Sequence, residues 1–368
     1  GDLRVGQQQM IEIARNLLIP NLKILIMDEP TSSLSEQEVD VLFNIMRELT
    51  ATGISIVYIS HRLEELMRIG DFVTIFRDGK LVADAAVKDI DVPWIVKQMV
   101  GEGKSYPKRD VAVDWDKQEN VLEVKNLSLP KNGGGYLLNN VSFNLKKGEI
   151  LGIYGLLGAG RTEIFECIMG MRPNHTGDII LNGKKIEIQS VADQIDKGFA
   201  WLPEDRQREG LVQTMSIAKN IALSNIGKYT NPLGLIDKNK EDAAEAEMIK
   251  DVHIKVADKD LPILSLSGGN QQKVVFAKGA LTNPQIMLLD EPSRGIDIGA
   301  KTEIFHLIYQ YAKRGVSLLV ISSELEEIIA IADRILVLSN GIKTAELTGD
   351  DITQDNLVKA SYMGHKAN

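Results

Sequence analysis

A glycine-rich loop in the second half of the chain could bind phosphate. Residues 155–162 read GLLGAGRT, follow the apolar run Ile150–Tyr154 and precede a helical pattern that begins at Glu163. Glycines let backbone N–H groups turn inward around a phosphate, and the N-terminus of the following helix adds a favourable dipole. Thr162 is placed to ligate Mg²⁺. A glycine-rich turn without a ligand is the alternative, because Arg161 stands where this motif has lysine and a planar guanidinium differs in geometry from a compact ammonium.

Two acidic pairs could complete such a site. Asp28-Glu29 and Asp290-Glu291 each follow four apolar residues and precede a proline. A buried strand would deliver the first carboxylate, Asp28 or Asp290, to a Mg²⁺ ion. The second, Glu29 or Glu291, can then orient or deprotonate the attacking water. A helix cap after a strand is the alternative, which the paired occurrence disfavours.

The acidic pairs belong to an internal repeat. LRVGQQQ at residues 3–9 is similar to LSGGNQQ at 266–272, and VYISHRLEE at 57–65 is similar to LVISSELEE at 319–327. Asp28 and Asp290 are 262 positions apart. The second copy has about 150 residues ahead of its repeated part, and the first copy has almost none. We therefore predict two copies of one domain, of which the first lacks its front part, in a chain that is truncated at its N-terminus.

The elements that must position these residues alternate along the chain. Two amphipathic helices are predicted at Ser35–Thr50 and Gly299–Lys313. The predicted buried strands are Ile24–Met27, Ile54–Ile59, Ile150–Tyr154, Ile286–Leu289 and Ser317–Ile321. Alternating strands and helices predict an α/β fold with a mostly parallel sheet. The predicted domains are residues 1–102, a charged linker at 103–118 without clear periodicity, and residues 119–368.

Composition excludes several classes of protein. The net charge of −9 disfavours a nucleic-acid scaffold, which usually has a basic face. The single cysteine, Cys167, cannot form an internal disulfide. The longest apolar runs are too short to span a bilayer, so we expect membrane contact only through a partner.

The most specific motif is LSGGNQQ, from Leu266 to Gln272. A chance match is on the order of 10⁻⁸ per start position, and Ser and Gly at a helix start offer an anion a hydroxyl and free N–H groups. The motif resembles the LSGGQ signature loop of ABC ATPases. Together with the Arg-Thr-Glu ending of the phosphate loop and the stretch Pro203–Arg206, it makes the whole chain resemble the fused two-domain ATP-binding subunits of bacterial ribose-, galactoside- and xylose-type importers.

This resemblance implies a P-loop NTPase fold of the ABC type and ATP sites formed between two domains. It implies that Glu29 and Glu291 are catalytic, with Glu29 as the base, and that His61 is the switch histidine, for which a surface helix cap is the alternative. Thr162, Asp290 and Asp28 are the predicted metal ligands. The predicted nucleotide-binding residues are Gly155, Gly158, Ala159, Gly160, Arg161, Thr162, Glu163, Glu204, Leu266, Ser267, Gly268, Gly269, Asn270, Gln271, Gly6 and Gln7.

The site that contains residues 155–162, Asp290 and Glu291 departs from the family pattern. Arg161 replaces lysine, Glu204 stands where a glutamine is expected, Ser323 stands at the switch-histidine position, and Arg4 replaces the serine of the first signature loop. We therefore predict that this site binds nucleotide but hydrolyses it slowly or not at all, and that the 368-residue chain alone has little ATPase activity.

The resemblance also implies partners. These are membrane permease subunits and an extracellular sugar-binding protein, with the chain at the cytoplasmic face of the membrane and no nucleic acid bound. A helix-rich segment from Gln207 to Leu261 resembles the subdomain that receives the permease, although a solvated charged helix explains it equally well. Tyr136 is a candidate for stacking on adenine. A soluble ABC protein acting on ribosomes or nucleic acid, and a non-catalytic nucleotide-binding regulator, are the alternative functions.

Overall fold

The computed structural model describes residues 11–16, 19, 22–31, 34, 36–60, 62–77, 79–100, 113–131 and 133–364. The chain divides into two compact units, unit 1 at residues 1–104 and unit 2 at residues 105–368. Most of the predicted linker lies outside the described residues, so its extent stays a prediction.

Unit 1 is built around a parallel strand pair. Its labelled elements are β1 (Ile24–Asp28), α1 (Glu36–Ala51), β2 (Ser55–Ile59), α2 (Leu63–Ile69), β3 (Phe72–Arg77), β4 (Lys80–Ala86) and α3 (Val92–Val100). β1 pairs in parallel with β2, with Ile24 opposite Ser55 and Asp28 opposite Ile59. Leu25 and Met27 of β1 pack into a core that includes Phe43 of α1. β3 and β4 form an antiparallel hairpin.

Unit 2 has a longer series of elements. Its strands are β5 (Asn120–Pro130), β6 (Tyr136–Lys146), β7 (Ile150–Gly155), β8 (Thr176–Leu181), β9 (Lys184–Lys185), β10 (Phe199–Leu202), β11 (Ile286–Asp290), β12 (Ser317–Ile321), β13 (Arg334–Ser339) and β14 (Ile342–Thr348). Its α-helices are α4 (Arg161–Ile168), α5 (Val191–Asp196), α6 (Ile217–Ala222), α7 (Lys238–Asp251), α8 (Gly268–Ala280), α9 (Ile298–Lys313), α10 (Leu325–Ile331) and α11 (Gln354–Met363).

The main sheet of unit 2 is mostly parallel. Within the described residues its strand order is β10-β11-β12-β7-β13-β14, and only β14 runs antiparallel to its neighbour. A second, antiparallel sheet has the order β6-β5-β8-β9. In a parallel sheet the carboxyl ends of the strands share one edge, where ligands usually bind. β7, β10, β11 and β12 therefore deliver the loops that follow them to the same edge.

The main sheet is buried on both faces. Alternate residues of β11 face two different cores: Met287 and Leu289 join the core formed with α8 and α9. Ile286 and Leu288 join the core formed with β5, β6 and α4. Burial on both faces explains why these strands read as continuous apolar runs rather than as alternating patterns.

The predicted α/β architecture is confirmed. The strand predicted at Ser317–Ile321 has those bounds, and the others differ by one residue at an end. The predicted helices at Ser35–Thr50 and Gly299–Lys313 correspond to α1 and α9. Within the described part of the chain, no helix combines the length and apolarity needed to cross a membrane.

Candidate functional site

The glycine-rich loop of unit 2 joins the end of β7 to the start of α4. Gly160 has φ +95°, and a Cβ on it would lie 2.7 Å from a methyl carbon of Leu138, so glycine is required there. Gly155 and Ala159 are buried and Gly158 is exposed. The carbonyl of Ala159 accepts a hydrogen bond from the N–H of Gly341, at 3.0 Å. A turn distant in sequence therefore holds the loop in place.

Thr162 and Asp290 meet at the base of this loop. The Thr162 hydroxyl donates to Asp290 Oδ2 at 2.8 Å, and Asp290 is 1% exposed. Burial raises the pKa of Asp290 to about 7, against the opposing effect of the Thr162 hydrogen bond. Among the described residues, Asp290 Oδ1 has no hydrogen-bond partner although it is buried. A buried carboxylate oxygen without a partner is costly unless a cation or donor completes it.

These two residues fit a magnesium ion. The described residues contain no cluster of three or more His, Cys, Asp or Glu side chains that could hold a metal. Mg²⁺ does not require one, because it is commonly held by one or two protein oxygens together with substrate phosphates and water. The orphaned Oδ1 of Asp290 and the hydroxyl of Thr162 are oxygen ligands of the kind that Mg²⁺ prefers.

Arg161 forms an ion pair with Glu291, the second carboxylate of the acidic pair. Its Nη1 lies 3.2 Å from Glu291 Oε1, and the two side chains are only 10% and 8% exposed. The other oxygen, Glu291 Oε2, accepts hydrogen bonds from the backbone N–H and the hydroxyl of Ser323, at 3.0 and 3.1 Å. Glu291 itself has φ +47°, a left-handed conformation that is uncommon for a side-chain-bearing residue and is often found at functional sites.

The loop after β10 carries an arginine that sequence reasoning named but did not assign a role. The half-buried Arg206 donates to the carbonyls of Arg294 and Gly295, at 2.7 and 2.9 Å. A Cβ on Gly268 would lie 2.9 Å from Arg206 Nη2. Arg206 therefore holds the turn after Glu291 and lies beside the signature-like loop. Glu204 forms an exposed ion pair with Arg294.

The signature-like loop leads directly into α8. Ser267 precedes the helix, and its hydroxyl accepts from the side-chain amide of Asn270, at 3.1 Å. Gln271 is buried and donates to the carbonyl of Leu266, at 3.1 Å. Asn270 and Gln271 thus make contacts within the protein that fix the loop, and Gly268 and Gly269 form the first turn of α8.

In unit 1, Glu29 repeats the backbone geometry of Glu291. It has φ +48°, and its N–H donates to the carbonyl of Ile59 at 2.9 Å. Asp28 is exposed and Glu29 half-buried. The predicted residues His61, Gly6 and Gln7, and the departure at Arg4, lie outside the described residues.

A buried glutamate supports the acidic turn in each unit, and sequence reasoning missed it. Glu327 Oε2 accepts from the hydroxyls of Ser293 and Ser322, at 2.5 and 3.0 Å. At the repeat-equivalent position, Glu65 accepts from Thr31 at 2.7 Å. The glutamate therefore links the turn after the acidic pair to the helix after the next strand. The sequence Leu-Glu-Glu, which occurs at the same place in both copies of the repeat, could have indicated this glutamate.

Two other predicted residues lie in less constrained positions. Glu163 is in the first turn of α4 and half-buried. Tyr136 is at the start of β6 and 57% exposed. Its ring is therefore accessible to solvent, which stacking on a base would require.

Comparisons with known proteins agree with this geometry. The sequence profile of the ABC transporter family matches residues 138–294. The ribose import ATP-binding protein RbsA of Oceanobacillus iheyensis is 44% identical over 367 residues, covering 99% of this chain and 72% of the relative. The xylose import ATP-binding protein XylG of Photobacterium profundum is 42% identical over 362 residues, covering 97% of this chain and 70% of the relative.

The fold is also that of solved ATP-binding cassettes. A nucleotide-free cassette of an ABC transporter superposes with a TM-score of 0.57 at 22% identity, covering 65% of this chain and 96% of that one. The similarity to this cassette supports the fold alone. The sequence similarity to the import proteins extends over nearly the whole chain and supports membership of their family. The chain belongs to the family of ABC transporter ATP-binding proteins, ATPases that include these ribose and xylose import proteins.

Proposed function

We propose that the chain is the ATP-binding, energy-coupling subunit of a monosaccharide importer. The import proteins to which it is 41–44% identical support this class of function. The same similarity supports permease subunits and an extracellular sugar-binding protein as partners, and a peripheral position at the cytoplasmic face of the membrane.

One observation carries the proposal that unit 2 binds Mg²⁺-ATP. Two buried atoms of opposite charge, Arg161 Nη1 and Asp290 Oδ1, have no aligned hydrogen-bond partner among the described residues. Both belong to residues at the phosphate loop or directly beside it. A bound Mg²⁺ would give Asp290 Oδ1 a positively charged partner and would also neutralise the phosphate oxygens. A phosphate oxygen would accept a hydrogen bond from Arg161 Nη1. Gly158 is exposed, and a Cβ there would meet open space, so this part of the loop leaves room for the phosphates.

We propose unequal roles for the two acidic pairs. Glu29 is the base of the hydrolysing site, with His61 as its switch residue, because these positions match the family pattern. Glu291 belongs to a site that holds nucleotide with little hydrolysis, because its carboxylate is engaged by Arg161 and Ser323. The full pattern of residues 155–162, two glycines five positions apart followed directly by a basic and a hydroxyl residue, occurs once in the sequence. The chain by itself is therefore expected to hydrolyse ATP slowly.

A binding measurement on the 368-residue chain tests the nucleotide site. Fluorescent ATP should bind in the presence of Mg²⁺. T162A or D290N should weaken this binding by about tenfold or more, because T162A removes the hydroxyl oxygen and D290N removes the negative charge and one oxygen of the carboxylate. The exposed carboxylate Asp196 offers a matched control, since D196N makes the same chemical change on the surface. Absence of Mg²⁺-dependent binding, or equal binding by D290N and the unchanged chain, would refute the proposed site.

A co-purification experiment tests the proposed partnership. The chain, expressed with the permease genes of its source, should be retained with the permease in detergent-solubilised membranes. Failure to be retained, with nucleotide binding intact, would contradict the transporter function and favour a nucleotide-binding regulator.

A further inference from the structure

The ion pair between Arg161 and Glu291 changes what each residue can do. Both side chains are about nine-tenths buried, and their nearest charged atoms are 3.2 Å apart. Arg161 Nη1 has no aligned acceptor in the described structure, so the contact is an ion pair without a well-directed hydrogen bond. The guanidinium therefore neutralises Glu291 while keeping N–H donors for another anion.

Glu291 is engaged on both of its carboxylate oxygens. Oε1 faces Arg161, and Oε2 accepts two hydrogen bonds from Ser323. A general base needs an oxygen within hydrogen-bond reach of the water that it deprotonates. With Ser323 in place Oε2 already accepts two hydrogen bonds, and Arg161 stands against Oε1, the oxygen that Glu291 would have to present to the water.

The geometry points to a specific arrangement, which rests on the proposed nucleotide binding by unit 2. We propose that Arg161 bridges Glu291 and the terminal phosphate of a bound nucleoside di- or triphosphate, and that Ser323 locks Glu291 in this position. A planar guanidinium can contact two anions through different N–H groups, whereas the compact ammonium of lysine is a single point of charge. Arg161, Glu291 and Ser323 together make a site that retains nucleotide without hydrolysing it.

The arrangement explains two of the four replacements, those at positions 161 and 323, as one set. Arginine at position 161 provides the second donor that a bridge requires. Serine at position 323 adds a short hydroxyl, 3.1 Å from Glu291 Oε2, to the backbone N–H that any residue but proline would present there. Each replacement therefore contributes a contact to the same carboxylate, rather than being an independent loss of function.

A double-mutant cycle on nucleotide affinity tests the bridge. The 368-residue chain, R161A, E291Q and the double variant are titrated with fluorescent ADP and ATP in Mg²⁺. E291Q should bind both nucleotides about fivefold more tightly, because Arg161 is no longer shared with a second anion. R161A should weaken binding by more than about tenfold, and by less in the E291Q background, where no unneutralised glutamate faces the phosphate.

The outcomes separate the inference from the proposed function. If R161A lowers the nucleotide affinity equally in both backgrounds, the two residues do not interact in the bound state. If R161A leaves the affinity of the E291Q variant unchanged, Arg161 does not contact the phosphate. Either result overturns the bridge. Absence of nucleotide binding by the unchanged chain would overturn the proposed function as well.

Two controls keep the test independent of folding. R172A removes one positive charge from an exposed ion pair with Glu166, and its effect on affinity should be small and additive with E291Q. The second control is thermal unfolding, without nucleotide, of the unchanged chain, R161A, E291Q and the double variant. The effects of the two substitutions on the unfolding temperature should be non-additive, because the ion pair exists in the free protein. Additive unfolding temperatures would contradict the ion pair itself.

Discussion

The two copies of the repeat place identical residues in opposite environments. Ile24 of β1 is 61% exposed, whereas Ile286, at the equivalent position of β11, is fully buried. Ile59 of β2 and Ile321 of β12 differ in the same way, at 47% and 0% exposed. The strand pairs have the same parallel register, so the difference does not arise from the strands themselves.

The difference arises from what covers the second face of each strand pair. In unit 2 this face packs against β5, β6 and α4, elements that contribute Leu122, Phe143 and Phe165 to the core. In the described part of unit 1, the core lies on the opposite face, where Leu25 and Met27 contact α1. A continuous apolar strand therefore indicates that both faces can be buried, but the covering elements decide whether they are.

A second contrast concerns the cation that supports the buried glutamate. In unit 2, Lys301 of α9 lies 2.9 Å from Glu327. In unit 1 the position equivalent to Lys301 is the apolar Val39, and Arg62, from the loop before α2, lies 3.0 Å from Glu65 instead. The glutamate contact is thus retained in both copies while its positive partner comes from a different element.

The largest expected effect tests the burial contrast. I286A should lower the free energy of unfolding of unit 2 by about 2–5 kcal/mol, because it removes buried methyl groups and leaves a cavity. I24A, the same substitution at the equivalent exposed position, should change the stability of unit 1 by about 0.5 kcal/mol or less. Hydrogen–deuterium exchange measures each unit separately. Equal destabilisation by the two variants would mean that other parts of the protein cover Ile24.

An intermediate effect tests the hairpin turns. Gly341 and Gly79 both have φ near +73°, but a Cβ on Gly341 would lie 2.2 Å from the carbonyl oxygen of Leu137, whereas Gly79 has open space. G79A should cost about 1 kcal/mol from backbone strain alone. G341A should cost about 1–3 kcal/mol more from the clash, and it should also weaken nucleotide binding, because Gly341 supports Ala159. Chemical denaturation and nucleotide titration measure both effects. The same cost for both substitutions would contradict the packing of this turn against the phosphate loop.

The smallest effect is a difference in pH dependence. Burial raises the pKa of Glu327, with a further contribution from Glu324. Burial also acts to raise the pKa of Glu65, but hydrogen bonds from Tyr58 and Thr31 outweigh it and hold the pKa below its usual range. The contribution of Glu327 to stability is therefore present below the unfolded-state pKa, near 4.5, and is lost as the pH rises, whereas that of Glu65 is lost as the pH falls.

Glutamine substitutions measure this difference directly. Between pH 3.5 and 7 (about the range set by the unfolded-state pKa), E327Q should reduce the decline of unit 2 stability with rising pH, and E65Q should reduce the decline of unit 1 stability on acidification. The readout is the local free energy of opening from hydrogen exchange, corrected for the intrinsic exchange rate at each pH. Changes of the same sign in both units would contradict the opposite pKa directions.

Much of the fold followed from the sequence pattern. Apolar runs such as Ser317–Ile321 predicted strands because burial on both faces of a parallel sheet demands continuous apolar residues. The loop ending in Arg161-Thr162 was located because its glycines have a required spacing. The partner of Arg161 was not predictable, because Glu291 is 130 positions away in sequence and the ion pair depends on how β7 and β11 are placed in the sheet.

The sequence by itself determined the family, the alternating elements and the positions of the glycine-rich loop, acidic pairs and signature-like loop, because motifs and periodicity are local properties. Only the tertiary structure decided which charges meet. It paired Arg161 with Glu291, left Asp290 Oδ1 without a partner among the described residues, and buried Ile286 while exposing Ile24. These outcomes depend on strand order and on the elements that cover each face, which no local stretch of sequence encodes.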